Sequence, residues 1–262
     1  VSNFDVPVPP LSEQQQIVSF LNTKTLLIDS LIEKTQRKIE LLKEKRTSLI
    51  NEVVTKGLNP NVEMKDSGVD WIGKIPSSWV KTKLKYKLQE VVTGGTPDTS
   101  NDSFWSDEDN GINWISISDI TSNGREITET KKFISEKGLE SKNLQILPIG
   151  SLIYSIYGSI GKISRLGIPS TIHQGILSLK TNSTYNTTFL EYYLIYFKEY
   201  VSLFSSSNTQ ENLNQEKVSN FDVPVPPLSE QQQIVEYLDE QTGLIDNTIS
   251  IEEKRIELLK EY

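Results

Sequence analysis

Apolar residues recur along the first fifth of the chain in alternating steps of four and three. Ile28, Ile32, Ile39, Leu42, Leu49 and Val53 lie on this stripe, with Thr35 and Arg46 as its polar interruptions. One face of a 3.6-residue helix takes up that spacing, so the pattern predicts a long helix over 11–56 with a seam for a partner helix. Pro9-Pro10 stand just upstream, Ser12 and Gln15 form a Ser-x-x-Gln capping box, and Gly57 follows Lys56 as a stop. About 40 helical residues make a rod of roughly 60 Å, longer than one small domain spans.

The same pattern returns at the other end. VSNFDVPVPPLSEQQQIV occupies Val1–Val18 and is repeated, identical at all eighteen positions, as Val218–Val235. Beyond it Ile245, Ile249, Ile256 and Leu259 renew the seam, and Ser229 with Gln232 renew the capping box. In each copy NFDVPVPP alternates apolar residues with isolated prolines, as an edge strand or extended segment does. One structural unit is therefore used twice, flanking a unique middle.

Charge sharpens this picture. Residues 11–56 hold eight basic and six acidic side chains, whereas 218–262 hold three basic and ten acidic. Opposite balances suit an antiparallel coiled coil; two independent surface helices would leave both stripes wet. The expected fold class is α+β: one mixed α/β domain with small β-sheets, flanked by the two long helices as an antiparallel coiled coil. The expected boundaries are an extended tail at 1–10, a first helix at 11–56, a linker at 57–75, the central domain at 76–227 and a second helix at 228–262.

Within the middle, 59–78 is polar and rich in Pro and Gly and reads as a connector, with Trp71 and Ile72 as anchors. Strand-like pieces follow at 112–117, 150–157 and 171–179, then a helix at 188–204. Its aromatics (Phe189, Tyr192, Tyr193, Tyr196, Phe197, Tyr200) keep helical spacing, which favours a core over base stacking. Ser205–Gln215 is polar, either a solvated loop or a base-contacting one, since Asn and Gln amides pair bidentately with adenine.

Candidate chemistry is sparse. There is no cysteine and a single histidine, His173, which excludes disulfides and thiolate sites and leaves little for a metal cluster or a triad. Tyr157–Ile163 (YGSIGKI) resembles a phosphate loop, but G-x-x-x-x-G-K-[ST] requires glycine at 156 and Ser or Thr at 163, where Ile156 and Ile163 stand. Gly158 and Gly161 read as a turn that leaves Ser159, Lys162 and Arg165 facing out, toward phosphate or water. Pro9-Pro10 and Pro226-Pro227 lack the Asn/Asp and aromatic neighbours of an adenine-methyltransferase motif, and Glu252-Glu253-Lys254 lies in helical register. No catalytic or metal site is expected. No apolar run has membrane length and no signal peptide is evident, so a cytoplasmic protein without membrane contact is expected. A net charge of -8 argues against nucleic acid only until it is mapped: residues 76–217 hold fourteen basic and fifteen acidic side chains and can still present a basic face.

The repeated PVPPLSEQQQIV elements, each opening a long helix and flanking a unique domain, resemble the type I restriction-modification specificity subunit. Gly57–Trp79, Gly94-Gly95-Thr96-Pro97, Phe104-Trp105, the Gly158–Lys162 turn and His173-Gln174-Gly175 resemble further landmarks of that family. The resemblance implies a target-recognition domain at 76–227 that reads part of a split double-stranded DNA target. It also implies helices that space the half-targets and dock methyltransferase subunits, with a restriction/translocase subunit acting indirectly. Cofactors would then sit on the partners and none on this chain. Candidate DNA contacts are Thr96, Ser159, Lys162, Arg165, His173, Gln174, Asn208, Gln210 and Asn212. The candidate coiled-coil interface is Ile28, Ile32, Ile39, Leu42, Leu49, Ile245, Ile249, Ile256 and Leu259. A full-length family member has two recognition domains and this chain shows one, as a truncated or half-length subunit would, which raises a homodimer as a candidate assembly. The competing class is a coiled-coil interaction or regulatory (anti-restriction-like) fragment that does not bind DNA; a basic face on 76–217 separates the two.

Overall fold

The computed structural model describes residues 8–201 and 213–261. Helix α1 (Leu11–Lys56) opens the chain. There follow β1 (Met64–Asp66), β2 (Lys74–Pro76), β3 (Val80–Lys83), β4 (Leu88–Thr93), β5 (Trp105–Ser106) and β6 (Ile112–Ile115). Next come α2 (Ile117–Ser122), β7 (Glu126–Ile127), β8 (Phe133–Ile134), α3 (Glu136–Ser141), β9 (Leu152–Ser155) and β10 (Ile163–Leu166). The chain closes with β11 (Thr171–Ile172), β12 (Ile176–Thr181), α4 (Thr187–Phe197), α5 (Gln215–Ser219), β13 (Asp222–Val225) and α6 (Leu228–Lys260). Two compact units result: a helical one from residues up to 48 and from 239, and a mixed one at 49–238.

In the helical unit α1 and α6 run antiparallel. Lys38 Nζ lies 2.6 Å from Glu252 Oε1, Arg46 Nε 2.9 Å from Asp246 Oδ1 and Lys43 Nζ 3.8 Å from Glu253 Oε1. All three cations are on α1 and all three anions on α6, as the opposite charge balances require. Ile39, Ile245, Ile249 and Ile256 are buried in the seam, with Ile28, Ile32, Leu42 and Leu259 half-buried. The polar interruption Thr35 is also buried, its hydroxyl donating to the carbonyl of Leu31 at 2.7 Å. Extending the register of these ion pairs puts the end of α6, Lys260, at about the level of Ile32. Upstream of that level the apolar residues Ile17, Val18, Leu21, Leu26 and Leu27 of α1 are exposed.

The helix starts differ from the expected capping box. Each helix begins one residue before its serine, because the carbonyls of Pro10 and Pro227 already accept the first turn's N–H groups. The side chain of Gln14 donates to the carbonyl of Pro9 at 2.7 Å, and Gln231 to Pro226 at 2.8 Å.

The mixed unit is organised by a five-stranded sheet in the order β4-β12-β9-β10-β7, antiparallel except for the β10–β7 pair. Both faces are covered, so β9 is buried at all four positions and β12 at its first four, serines included. On one face Leu152, Tyr154, Leu177 and Leu179 meet α4, whose Phe189, Tyr193 and Phe197 form the centre of the larger core. On the other face Ile153 and Ile176 meet Ile115, Ile120, Ile127, Leu147, Leu166 and Ile172. The aromatic face of α4 is therefore core, as its spacing indicates. A second sheet has the order β11-β6-β8-β5.

Three expectations change here. The segment expected as a connector folds as the β1–β2 hairpin and places Val69, Ile72 and Ile75 in the core. The strand expected at 112–117 ends at Ile115, and Ser116 caps α2, its N–H donating to Asp119 Oδ2 at 2.8 Å. The helix expected over 188–204 ends at Phe197 within the described residues.

The second repeat copy closes the mixed unit. β13 pairs antiparallel with β3 alone, and Tyr185 and Tyr193 hydroxyls donate to the carbonyls of Pro224 and Asp222. The start of α6 then seats against the start of α4. Gln231 Oε1 accepts the Asn186 N–H at 2.7 Å, Glu230 accepts the Trp79 indole N–H at 2.9 Å, and Ile234, Val235 and Leu238 enter the core.

Candidate nucleic-acid interface

Of the residues singled out from the sequence, Thr96 follows β4, Ser159 and Lys162 lie on the turn between β9 and β10, and His173 and Gln174 lie on the loop between β11 and β12. Gly94, just after β4, touches the loop after β11 so closely that a Cβ would stand 2.1 Å from the Ile172 carbonyl oxygen. Only glycine permits this approach, and it holds the Gly94–Thr96 loop against His173. Trp114 at the end of β6 donates its indole N–H to the Gly95 carbonyl at 2.9 Å, and its ring meets His173 edge-on at 5.4 Å. Thr96 is half-buried, with a buried hydroxyl that has no partner among the described residues.

His173 accepts the Gly175 N–H on Nδ1 at 2.8 Å. The proton of the neutral ring is therefore on Nε2. Partial burial, and then the nearby Lys132 ammonium, hold the ring below the usual histidine range. Gln174 beside it is exposed. Lys132 stands 5.6 Å from the Trp114 ring centre and 6.0 Å from that of Trp105, and the two indoles are edge to face. Next to this ladder opens a cleft of about 760 Å³ lined by Trp105, Asn110, Lys131, Lys132 and Asp102 among others. Trp105 was legible as a landmark. Lys132 was not, because nothing in its local sequence says that two indoles lie beneath it.

The glycine turn between β9 and β10 joins the same region. Tyr157 at its start packs beside Gly175, and Ser159 lies 3.4 Å from the Thr121 hydroxyl of α2. The start of this turn thus shares a neighbourhood with the His173–Gly175 loop, and Lys162 stands at its far end. Arg165 does not join this region. It was expected to face out, but its Nε donates to Glu191 Oε2 at 2.6 Å, while its other nitrogens reach the Gly150 carbonyl and the Thr188 hydroxyl. Glu191 is buried in α4 and also receives Arg125 at 2.6 Å. A buried carboxylate requires paired cations, so Arg165 serves the core of the domain. Asn208, Gln210 and Asn212 lie outside the described residues. Among the described residues no group of His, Asp and Glu is arranged to hold a metal ion, and no helix is long and apolar enough to cross a membrane.

A single α+β domain with amide, hydroxyl and lysine side chains on clustered loops, attached to a repeated helix pair, defines a polar recognition module. The chain belongs to the family of the type I restriction modification DNA specificity domain, whose model matches residues 76–261. It is 29% identical over 98% of its length to the type I restriction enzyme MjaVIII specificity subunit of Methanocaldococcus jannaschii, covering 59% of that protein. It is 25% identical over 85% of its length to the EcoR124I/EcoR124II specificity subunit of Escherichia coli, covering 55% of it. The fold matches the crystal structure of the HsdS subunit from Thermoanaerobacter tengcongensis with a TM-score of 0.62 at 19% identity, over 98% of this chain and 57% of that one. The chain spans a little over half the length of these relatives.

Proposed function

We propose that residues 76–227 recognise a short double-stranded DNA sequence within a type I restriction-modification complex. The observation that carries this reading is the convergence of Thr96, Ser159, Lys162, His173 and Gln174 on neighbouring loops of a specificity-family domain. Amide, hydroxyl and imidazole groups there have donors and acceptors to offer base edges, and lysines offer charge to phosphates. The paired helices space two half-targets and dock the methyltransferase subunits. Those partners bring S-adenosylmethionine for adenine methylation, and a restriction/translocase subunit brings ATP and cleavage. The work takes place in the cytoplasm, and this chain contributes recognition without a cofactor or a reaction of its own. Exchanging 76–217 for another recognition domain should change the methylated sequence in cells while methyltransferase binding persists. An unchanged methylated sequence would refute the reading.

The partner for the exposed start of α1 is a second copy of the chain. The seam of Ile28, Ile32, Ile39 and Leu42 is filled within one molecule by α6. Its four-three spacing continues upstream, however, through Leu21, Val18, Gln14 and Leu11, where nothing described lies opposite. Two such segments can pair antiparallel and extend the coiled coil. Light scattering should give twice the monomer mass at micromolar concentration, and Val18→Glu with Leu21→Glu should halve it. A monomer mass that does not rise with concentration would reject the dimer.

A further inference from the structure

Lys198, at the C-terminal end of α4, lays its stem across the glycine turn between β9 and β10. Gly161 is at φ +79°, and a Cβ there would stand 3.1 Å from Lys198 Cγ. This sets the Lys198 stem against the turn that carries Lys162. Partial burial and repulsion from Lys162 hold Lys198 below the usual lysine range. Neither lysine has an ion-pair partner among the described residues, whereas Arg125 and Arg165 of the same domain share Glu191.

The turn adds further donors. The backbone N–H groups of Ser159 and Ile160 reach no acceptor among the described residues, while Lys162 N–H is spent on Ser155 Oγ at 3.1 Å. Tyr154, fully buried, aims its hydroxyl to within 3.7 Å of the same point at Gly161 and has no partner either. Two close cations without a carboxylate, set beside unused N–H and O–H groups, make a place for an anion with several oxygens. A planar base edge offers mixed donors and acceptors and would leave the paired charge unmatched. A phosphate matches it.

We propose that Lys162, Lys198 and the Ser159–Ile160 amides hold one backbone phosphate of bound DNA, fixing the register in which the neighbouring His173–Gln174 loop meets the bases. This rests on the DNA-recognition reading and adds Lys198 as a positioning residue for it. Phosphate contacts set orientation and carry no sequence information of their own.

The test uses the full chain and a fluorescent mixed-sequence duplex of about 30 base pairs, titrated by anisotropy across a potassium chloride series from low salt. Each lysine that meets a phosphate adds about 0.9 to the slope of log affinity against log salt, so Lys162→Gln with Lys198→Gln should lower it by about 1.8. The decrease should be the same for unrelated duplexes, and Lys198→Arg should restore its share. Glutamine keeps the stem over Gly161, so the variants should melt at the unaltered temperature. DNA binding with an unchanged slope in the double variant would overturn the assignment, as would lost melting temperature with unchanged slope, which marks Lys198 as a helix cap only. Calorimetric binding of inorganic phosphate together with an unchanged DNA slope would identify a free-anion site and overturn it likewise. No DNA binding by the unaltered chain at low salt would remove the recognition reading itself, and this inference with it.

Discussion

Two stretches of this molecule have the same sequence and opposite surroundings. Residues 8–18 and 225–235 are identical, and both begin a long helix. Each glutamine at the helix start folds back on the proline carbonyl five residues upstream, at 2.7 Å in one copy and 2.8 Å in the other. That bond is local, and local sequence reproduces it. Burial is not local. Ile234 and Leu238 are fully buried, while their counterparts Ile17 and Leu21 are 45% and 54% exposed. Gln231 also accepts the Asn186 N–H, and Gln14 has no such bond. The shared sequence thus encodes a helix start and an apolar face, and tertiary context decides whether that face is core or open surface.

The difference can be broken most sharply by making one substitution twice. Ile234→Ala should cost about 2–5 kcal/mol, because a filled core position loses its methyls and leaves a cavity. Ile17→Ala should stay within about 0.5 kcal/mol, as an exposed site does. Urea midpoints measured on both variants check this, and equal shifts would break the comparison.

A pair inside the mixed unit sharpens the same point. Arg165 and Lys162 are three residues apart and both read as outward cations, yet Arg165 pairs with the buried Glu191. Arg165→Ala should cost about 3 kcal/mol by leaving a buried carboxylate underpaired, whereas Lys162→Ala should spare stability. Thermal melting distinguishes them.

Gln231→Ala comes next, with a loss of about 1–3 kcal/mol because the half-buried Asn186 N–H loses its acceptor. Gln14→Ala gives up only the exposed local bond to Pro9. Denaturant titration of both variants should show the larger loss at Gln231.

The smallest expected effect concerns acid. Lys38 holds the Glu252 carboxyl below the usual carboxylate range, through their hydrogen bond first. A depressed carboxyl stabilises the folded state above its unfolded pKa, and that contribution fades as pH falls through the folded value. Helical circular dichroism should therefore show the paired helices loosening on acidification in the unaltered protein, and less so in Glu252→Gln. Equal acid responses would remove Glu252 from the account.

Much of this architecture was legible in the sequence. Periodicity at Ile39, Ile249 and Ile256 marked a seam, and opposite charge balances marked its pairing. The aromatic face of α4 was legible for the same reason, as regular spacing records burial directly. Irregular segments were not. The β1–β2 hairpin is too short for period-two alternation to show, so it read as a connector. In the candidate interface, glycine-rich landmarks pointed to loops that fold against one another, but the fate of single cations was hidden. Glu191 is 26 residues from Arg165 along the chain, and Lys198 is 36 from Lys162. Only folding puts one pair together as an ion pair and the other as like charges.

Hydrogen exchange measured by mass spectrometry tests most directly the claim that one sequence has two environments. Peptides ending at Leu21 and at Leu238 are distinguishable, since Ser19-Phe20 stand where the second copy has Glu236-Tyr237. Amides of a helix start packed into a core open only with the unit that holds them, whereas an unpacked start frays. The account predicts that, at dilution where the chain is a monomer, Ile234–Leu238 exchange at least tenfold more slowly than Ile17–Leu21, by about 1.4 kcal/mol or more in opening free energy. Equal protection of the two peptides would contradict it.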